Sequence, residues 1–175
     1  DKTALKTTMK IVGQRTAFKE DLKLKAELES GLLTYTTGNS RVVDRFFLGS
    51  NKMRGFDAGG LGPRECANGQ CGLSNNDALG GENFAVVRLE AEFPLGLPDE
   101  YGMTGGLFYD IGNLWSLKNI NNNVLYENGS WRQAVGASLF WNTPIGPLRF
   151  NFSDVLKKEQ YDRDESFDLT ISTRF

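Results

Sequence analysis

The chain has 175 residues, 20 Lys and Arg against 22 Asp and Glu, no His, 20 Gly, and an aromatic set of 12 Phe, 5 Tyr and 3 Trp. A formal charge of −2 supplies no clustered basic face for nucleic acid, and the absence of His removes the commonest general base and metal ligand. No apolar run approaches the roughly 18 residues of a transmembrane helix, whereas a membrane β-barrel, whose strands alternate, averages out as mildly polar and is not excluded. The length suits one domain or part of a larger one, and the start at Asp1-Lys2-Thr3 reads as a processed protein or a C-terminal piece.

Period-two alternation runs through the chain and helical periodicity is almost absent. Leu5, Thr7, Met9 and Ile11 alternate with Lys6, Thr8, Lys10 and Val12. After a turn at 19–21, Leu22, Leu24, Ala26 and Leu28 alternate with Lys23, Lys25, Glu27 and Glu29. A third run sets Ala85, Val87, Leu89, Ala91 and Phe93 against Val86, Arg88, Glu90 and Glu92. A fourth sets Met103, Gly105, Leu107, Tyr109 and Ile111 against Thr104, Gly106, Phe108, Asp110 and Gly112. Val135, Ala137, Leu139 and Trp141 follow, then Leu148, Phe150 and Phe152 after a turn at 143–147, and last Phe167, Leu169, Ile171, Thr173 and Phe175. These seven runs predict an all-β fold of consecutive antiparallel strands.

Short turns at 19–21, 94–102 and 143–147 alternate with long polar connections at about 34–83, 116–130 and 157–165. That one-sided asymmetry belongs to outer-membrane barrels, with short periplasmic turns and long extracellular loops. Aromatics near strand ends (Phe93, Tyr101, Trp115, Trp131, Trp141) suit an interfacial girdle, and the face opposite the apolar one is rich in Gly, Ser, Asn and paired charges. Seven strands do not close an even-numbered barrel, and unpaired backbone in lipid costs several kcal/mol per group. The chain therefore reads as part of a larger barrel or as an oligomeric one.

The 34–83 connection holds nine Gly between 49 and 81, together with Arg and aromatic residues, so it reads as a folded, functional loop. Within it Cys66 and Cys71 stand as C-A-N-G-Q-C. A zinc site would need two more ligands, and the pair reads better as a local disulfide in an oxidising compartment than as two free thiols. Glu90 and Asp110 share the inward face on neighbouring strands and call for a cation, which Arg54 on the loop, Arg88 or Arg132 could supply. Catalytic readings are weak: no His-based triad is possible, the Gly-rich runs are followed by no helix, and Glu90 with Glu92 beside Arg88 reads as an ion-pair network rather than a glycosidase pair.

Met53-Arg54-Gly55-Phe56, preceded by Arg45-Phe46-Phe47-Leu48-Gly49 and followed by Leu61-Gly62-Pro63-Arg64, resembles the (V/I)RGF loop of the BamA/TamA superfamily of bacterial surface antigens. Ala78-Leu79-Gly80-Gly81, the run from Arg88 to Pro94, the run from Phe108 to Trp115, the run from Pro144 to Phe150 and the terminal Phe175 extend the resemblance in order over the whole chain. It is similar in particular to the alphaproteobacterial BamA branch. The resemblance implies a transmembrane barrel of about sixteen strands behind periplasmic POTRA domains, this chain being roughly the last seven, with 34–83 an extracellular loop folded into the lumen. It implies non-enzymatic assembly and insertion of β-barrel proteins into the outer membrane of Gram-negative bacteria, by strand templating at a lateral gate and without a cofactor. Implied partners are unfolded outer-membrane clients, accessory lipoproteins and outer-membrane lipid. Arg54 matches the loop arginine, Glu90 and Asp110 its lumen partners, and Phe167, Leu169, Ile171 and Phe175 a C-terminal barrel signal. A TamA-like or two-partner-secretion barrel, and a passive porin-like barrel, are the alternatives.

Overall fold

The computed structural model describes residues 3–18, 21–66, 72, 76–117, 123–144 and 146–171. Each alternating run is a strand: β1 (Ala4–Ala17), β2 (Leu22–Tyr35), and then, beyond two short strands in the first long loop, β3 (Arg64–Cys66) and β4 (Asn76–Ala78), the long strands β5 (Asn83–Pro94) and β6 (Met103–Trp115). After β7 (Val124–Leu125) come β8 (Arg132–Thr143), β9 (Gly146–Lys157) and β10 (Phe167–Ile171). Seven of them form one open antiparallel sheet in the order β1-β2-β5-β6-β8-β9-β10. Six of these have 12 to 14 residues, enough to cross a bilayer at the usual tilt.

The expected count of seven strands needs one correction: ten are present among the described residues, because β3, β4 and β7 form a separate three-stranded sheet within the long loops. Two or three residues each are too short to alternate, and Arg64-Glu65-Cys66 has no apolar period to read. The long connections run 36–82, 116–131 and 158–166 at one end of the sheet. The β3–β7 pairing ties the first to the second. The backbone bonds Asp57 N to Arg163 O (3.1 Å), Arg163 N to Gly60 O (2.8 Å) and Glu165 N to Gly55 O (3.0 Å) tie the first to the third.

The two faces of the sheet are inverted relative to a soluble protein. Leu5, Ile11, Leu89, Leu107, Phe152 and Ile171 stand exposed on one face, while Glu27, Asp110, Arg132, Ser138 and Asn151 are buried on the other. Apolar surface is what water excludes and lipid accepts. The buried face is covered by the chain's own loops: Phe46, Leu48, Met53, Phe56 and Leu61 from 36–82 pack on Phe84, Val86, Leu114 and Ala134 of the wall. Among the described residues no helix is long and apolar enough to cross a membrane.

Candidate functional site: a loop arginine clasped by the inner wall

Residues 53–56 of the 36–82 loop are all buried, Met53 and Phe56 fully and Arg54 at 6% exposed. The wall is shaped to receive them. A Cβ on Gly112 would lie 2.7 Å from Met53 Sδ, so glycine there makes the slot for the methionine. Gly55 has φ +89°, and a Cβ on it would lie 3.0 Å from Ala134 Cβ and 3.2 Å from Val155 Cγ2. Both its backbone angle and its approach to β8 and β9 demand glycine. The contact falls beside a β-bulge between Gln133 and Ala134, where a sheet bends locally.

Arg54 meets Asp110 in a two-pronged fork, Nε to Oδ2 at 2.8 Å and Nη2 to Oδ1 at 2.5 Å, and its backbone N–H also donates to Oδ2 at 3.0 Å. Nη1 donates to Glu90. Asp110 is completely buried, so three donors and a cation replace the water it has lost. Burial opposes the Arg54 charge, but Asp110 and Glu90 outweigh it and hold its pKa above the ordinary arginine value. The guanidinium also stacks on Phe108, 3.8 Å from the ring centre. Phe108 occupies the place a side chain on Gly136 would need.

Glu90 is shared. Arg149 of β9 donates to it as well and stacks on Phe140 at 4.7 Å. Arg149 Nε donates to Asn151 Oδ1 at 2.8 Å, Ser138 Oγ donates to the same oxygen at 2.7 Å, and Asn151 Nδ2 donates to Asp168 of β10 at 3.0 Å. A continuous polar chain therefore runs from the loop across the inner wall to the last described strand. Arg149, Ser138 and Asn151 were missed as members of the site by sequence reasoning. The available signal was their inward parity and the need of two acids for more than one cation.

The other cations considered for Glu90 and Asp110 are engaged elsewhere. Arg88 bonds to Glu27 and, at 2.8 Å, to Glu29, and donates to Lys52 O at 2.8 Å. Arg132 forks onto Asp162 of the third long loop, at 2.8 and 3.2 Å, with both side chains fully buried. Sequence reasoning did not find Asp162. Phe167, Leu169 and Ile171 lie in β10 on the apolar outer face, exposed. Phe175 lies outside the described residues. Cys66 is buried at the end of β3, and Cys71 lies outside the described residues. Among the described residues no group of acidic or Cys side chains is placed to hold a metal ion.

Residues 2–175 match the Omp85 superfamily domain. The chain belongs to the Omp85 superfamily. This Omp85 domain is 31% identical to "Outer membrane protein assembly factor BamA" of Neorickettsia risticii (strain Illinois), over 98% of the chain and 22% of that protein. It is 26% identical to the protein of the same name from Neisseria meningitidis serogroup B, over 73% of the chain and 18% of that protein. It thus spans about a fifth of the length of the curated relatives it matches. Among solved structures, BamA from Haemophilus ducreyi lacking POTRA domains 1–3 superposes with a TM-score of 0.79 at 20% identity, over 95% of this chain and 34% of that one. That likeness shows the fold, an antiparallel sheet of the β-barrel type, and as a member of the Omp85 superfamily the chain belongs to the outer membrane of Gram-negative bacteria.

Proposed function

We propose that this Omp85 domain is the C-terminal, lumen-plugged part of a sixteen-stranded barrel that assembles and inserts β-barrel proteins into the outer membrane. The observation that carries the reading is the fork of Arg54 on Asp110 and Glu90. It seats a long loop against the inner wall and joins it, through Arg149, Asn151 and Asp168, to β10. A loop held on one strand set and wired to a terminal strand suits a device that responds to strand pairing at the barrel edge. The names of the Neorickettsia and Neisseria relatives support the same activity. Its partners would be unfolded outer-membrane proteins, accessory lipoproteins and membrane lipid, and its action non-enzymatic, the driving free energy being that of client folding. Phe167, Leu169 and Ile171 on the outer face of β10, together with Phe175, would serve as the domain's own barrel signal, and Cys66 and Cys71 would form a local bridge in the loop.

The test replaces the chromosomal copy by Arg54→Glu and follows folded outer-membrane proteins by heat-modifiable migration. The assembly reading expects their level to collapse while the variant itself is still inserted. Normal client levels with Arg54→Glu would contradict it. In planar bilayers the same reading expects small, erratic conductances. Stable open pores would move the porin-like alternative ahead. Mass before and after alkylation, without and with reductant, reads the cysteine bridge directly.

A further inference from the structure

The outer, lipid-facing side of β1, β2, β5 and β6 carries an apolar hollow of about 710 Å³, within the size range of ligand clefts, roughly 300–1,000 Å³. Strand register explains its shape. One rung runs Arg15, Leu24, Ala91, Leu107, and the next runs Gly13, Ala26, Leu89, Tyr109. Gly13, Ala26 and Ala91 make a low floor, and Leu24, Leu89 and Leu107 stand around it, each more than 40% exposed.

Two features are unexplained by the fold itself. A Cβ on Gly13 would meet nothing closer than Ala26 O at 4.0 Å. The glycines of the inner wall differ: Gly112 and Gly136 each make room for a buried side chain, Met53 and Phe108. An uncrowded glycine on the outer face leaves room for something else to approach the backbone. The second feature is Arg15, exposed at the rim of the hollow on the side of the 18–21 turn, and in no ion pair with a described residue. A guanidinium on a lipid-facing surface reaches for the headgroup layer, and its fork matches phosphate. The short turns of an outer-membrane barrel face the periplasm, so Arg15 stands at the level of the periplasmic leaflet.

We propose that the hollow is a binding site for one glycerophospholipid of the periplasmic leaflet, with an acyl chain lying across Gly13, Ala26 and Ala91 and the phosphate on the Arg15 guanidinium. The site lies on the opposite side of the sheet from Arg54 and does not depend on the assembly reading.

Native mass spectrometry of the full-length protein in detergent tests it, with phosphatidylglycerol and a diacylglycerol of the same chains as probes. Wild-type protein is expected to retain one phosphatidylglycerol in preference to diacylglycerol. Arg15→Gln should lower phosphatidylglycerol retention about tenfold, the loss of one charge-assisted contact, and erase the preference. Gly13→Leu and Ala26→Leu, which fill the floor from two different strands, should abolish retention of both probes. Phe152→Leu, on the outer face of β9, should leave it unchanged. Heat-modifiable migration reports folding of each variant, so Arg15→Gln and either filler suffice for a decision. Equal retention by wild type, Arg15→Gln and a folded filler variant would mean an unspecific lipid shell and overturn the site.

Discussion

Loops 36–82 and 158–166 are each fastened to the inner wall by a buried guanidinium and its carboxylate partners, but with opposite polarity. In the first, the cation arrives on the loop as Arg54, and the wall supplies Asp110 and Glu90. In the second, the wall supplies Arg132 and the loop brings Asp162. The Arg132–Asp162 pair is self-contained, its remaining hydrogen bonds going to local groups: Arg132 donates to Ser130 O, and the Glu159 backbone N–H donates to Asp162. The Arg54 clasp is open-ended, because Glu90 also belongs to Arg149 and so to the chain of contacts that ends on β10. A closed pair holds a loop in place. A shared one can also transmit whether the loop is in place.

The largest effect should follow from reversing the open-ended clasp. Arg54→Glu sets three carboxyl groups together, one of them in a fully buried position. Breaking a buried pair costs about 3–5 kcal/mol, and reversal adds repulsion, so 53–56 should leave the wall. Proteolysis of the 36–82 loop in folded barrels would read this as rapid cleavage, against protection in wild type. Breaking the closed pair is expected to cost about 3 kcal/mol and to stay local. Asp162→Asn should raise hydrogen exchange in 158–166 while leaving 53–56 protected. If 53–56 loosens equally, the two clasps are one unit and the comparison fails.

Gly55→Ala should sit next in size. It forces a side chain into a positive φ, about 1–2 kcal/mol, and into contact with Ala134. Thermal unfolding should show the loss, and Ala134→Gly should recover the contact part but not the backbone part. The smallest effect belongs to the Lys158–Asp164 pair, 2.7 Å apart with both side chains well exposed. Its hydrogen bond to Lys158 holds the Asp164 carboxyl below the ordinary aspartate range, with burial opposing weakly. A lowered carboxylate pKa stabilises the fold above the unfolded value near 3.9 and loses that contribution as pH falls through the folded value. An exposed pair is worth about 0–1 kcal/mol, so Lys158→Ala should shift stability by no more than that at pH 7, and by nothing in strong acid.

What could be read from the sequence follows from what alternation encodes. Residues such as Leu89, Glu90, Ala91 and Glu92 declare both a strand and its two faces, so the seven sheet strands and the inward parity of Glu90 and Asp110 were legible. Arg54 was legible because a short motif surrounds it. Asp162 was not, since it lies among Glu159, Asp164 and Glu165 in a polar loop with no period to distinguish one acid from another. The chain through Arg149, Ser138 and Asn151 depends on reach across β6 and β8, past Phe108 and Phe140, and register between distant strands is invisible to local pattern. The β3–β4–β7 sheet depends on pairing between loops far apart in sequence, which no local propensity specifies.

The most direct test of the central claim is a double-mutant cycle between Arg54 and Asp110 in the full-length barrel, with Arg54→Met, Asp110→Leu and the pair. The readout is hydrogen-exchange protection of residues 53–56. Two groups in one buried fork should couple by about 2–3 kcal/mol, the double variant being far less damaged than the sum of the singles. Additivity within about 0.5 kcal/mol would mean that the loop is seated by its apolar packing alone, and that Arg54 does not clasp the wall.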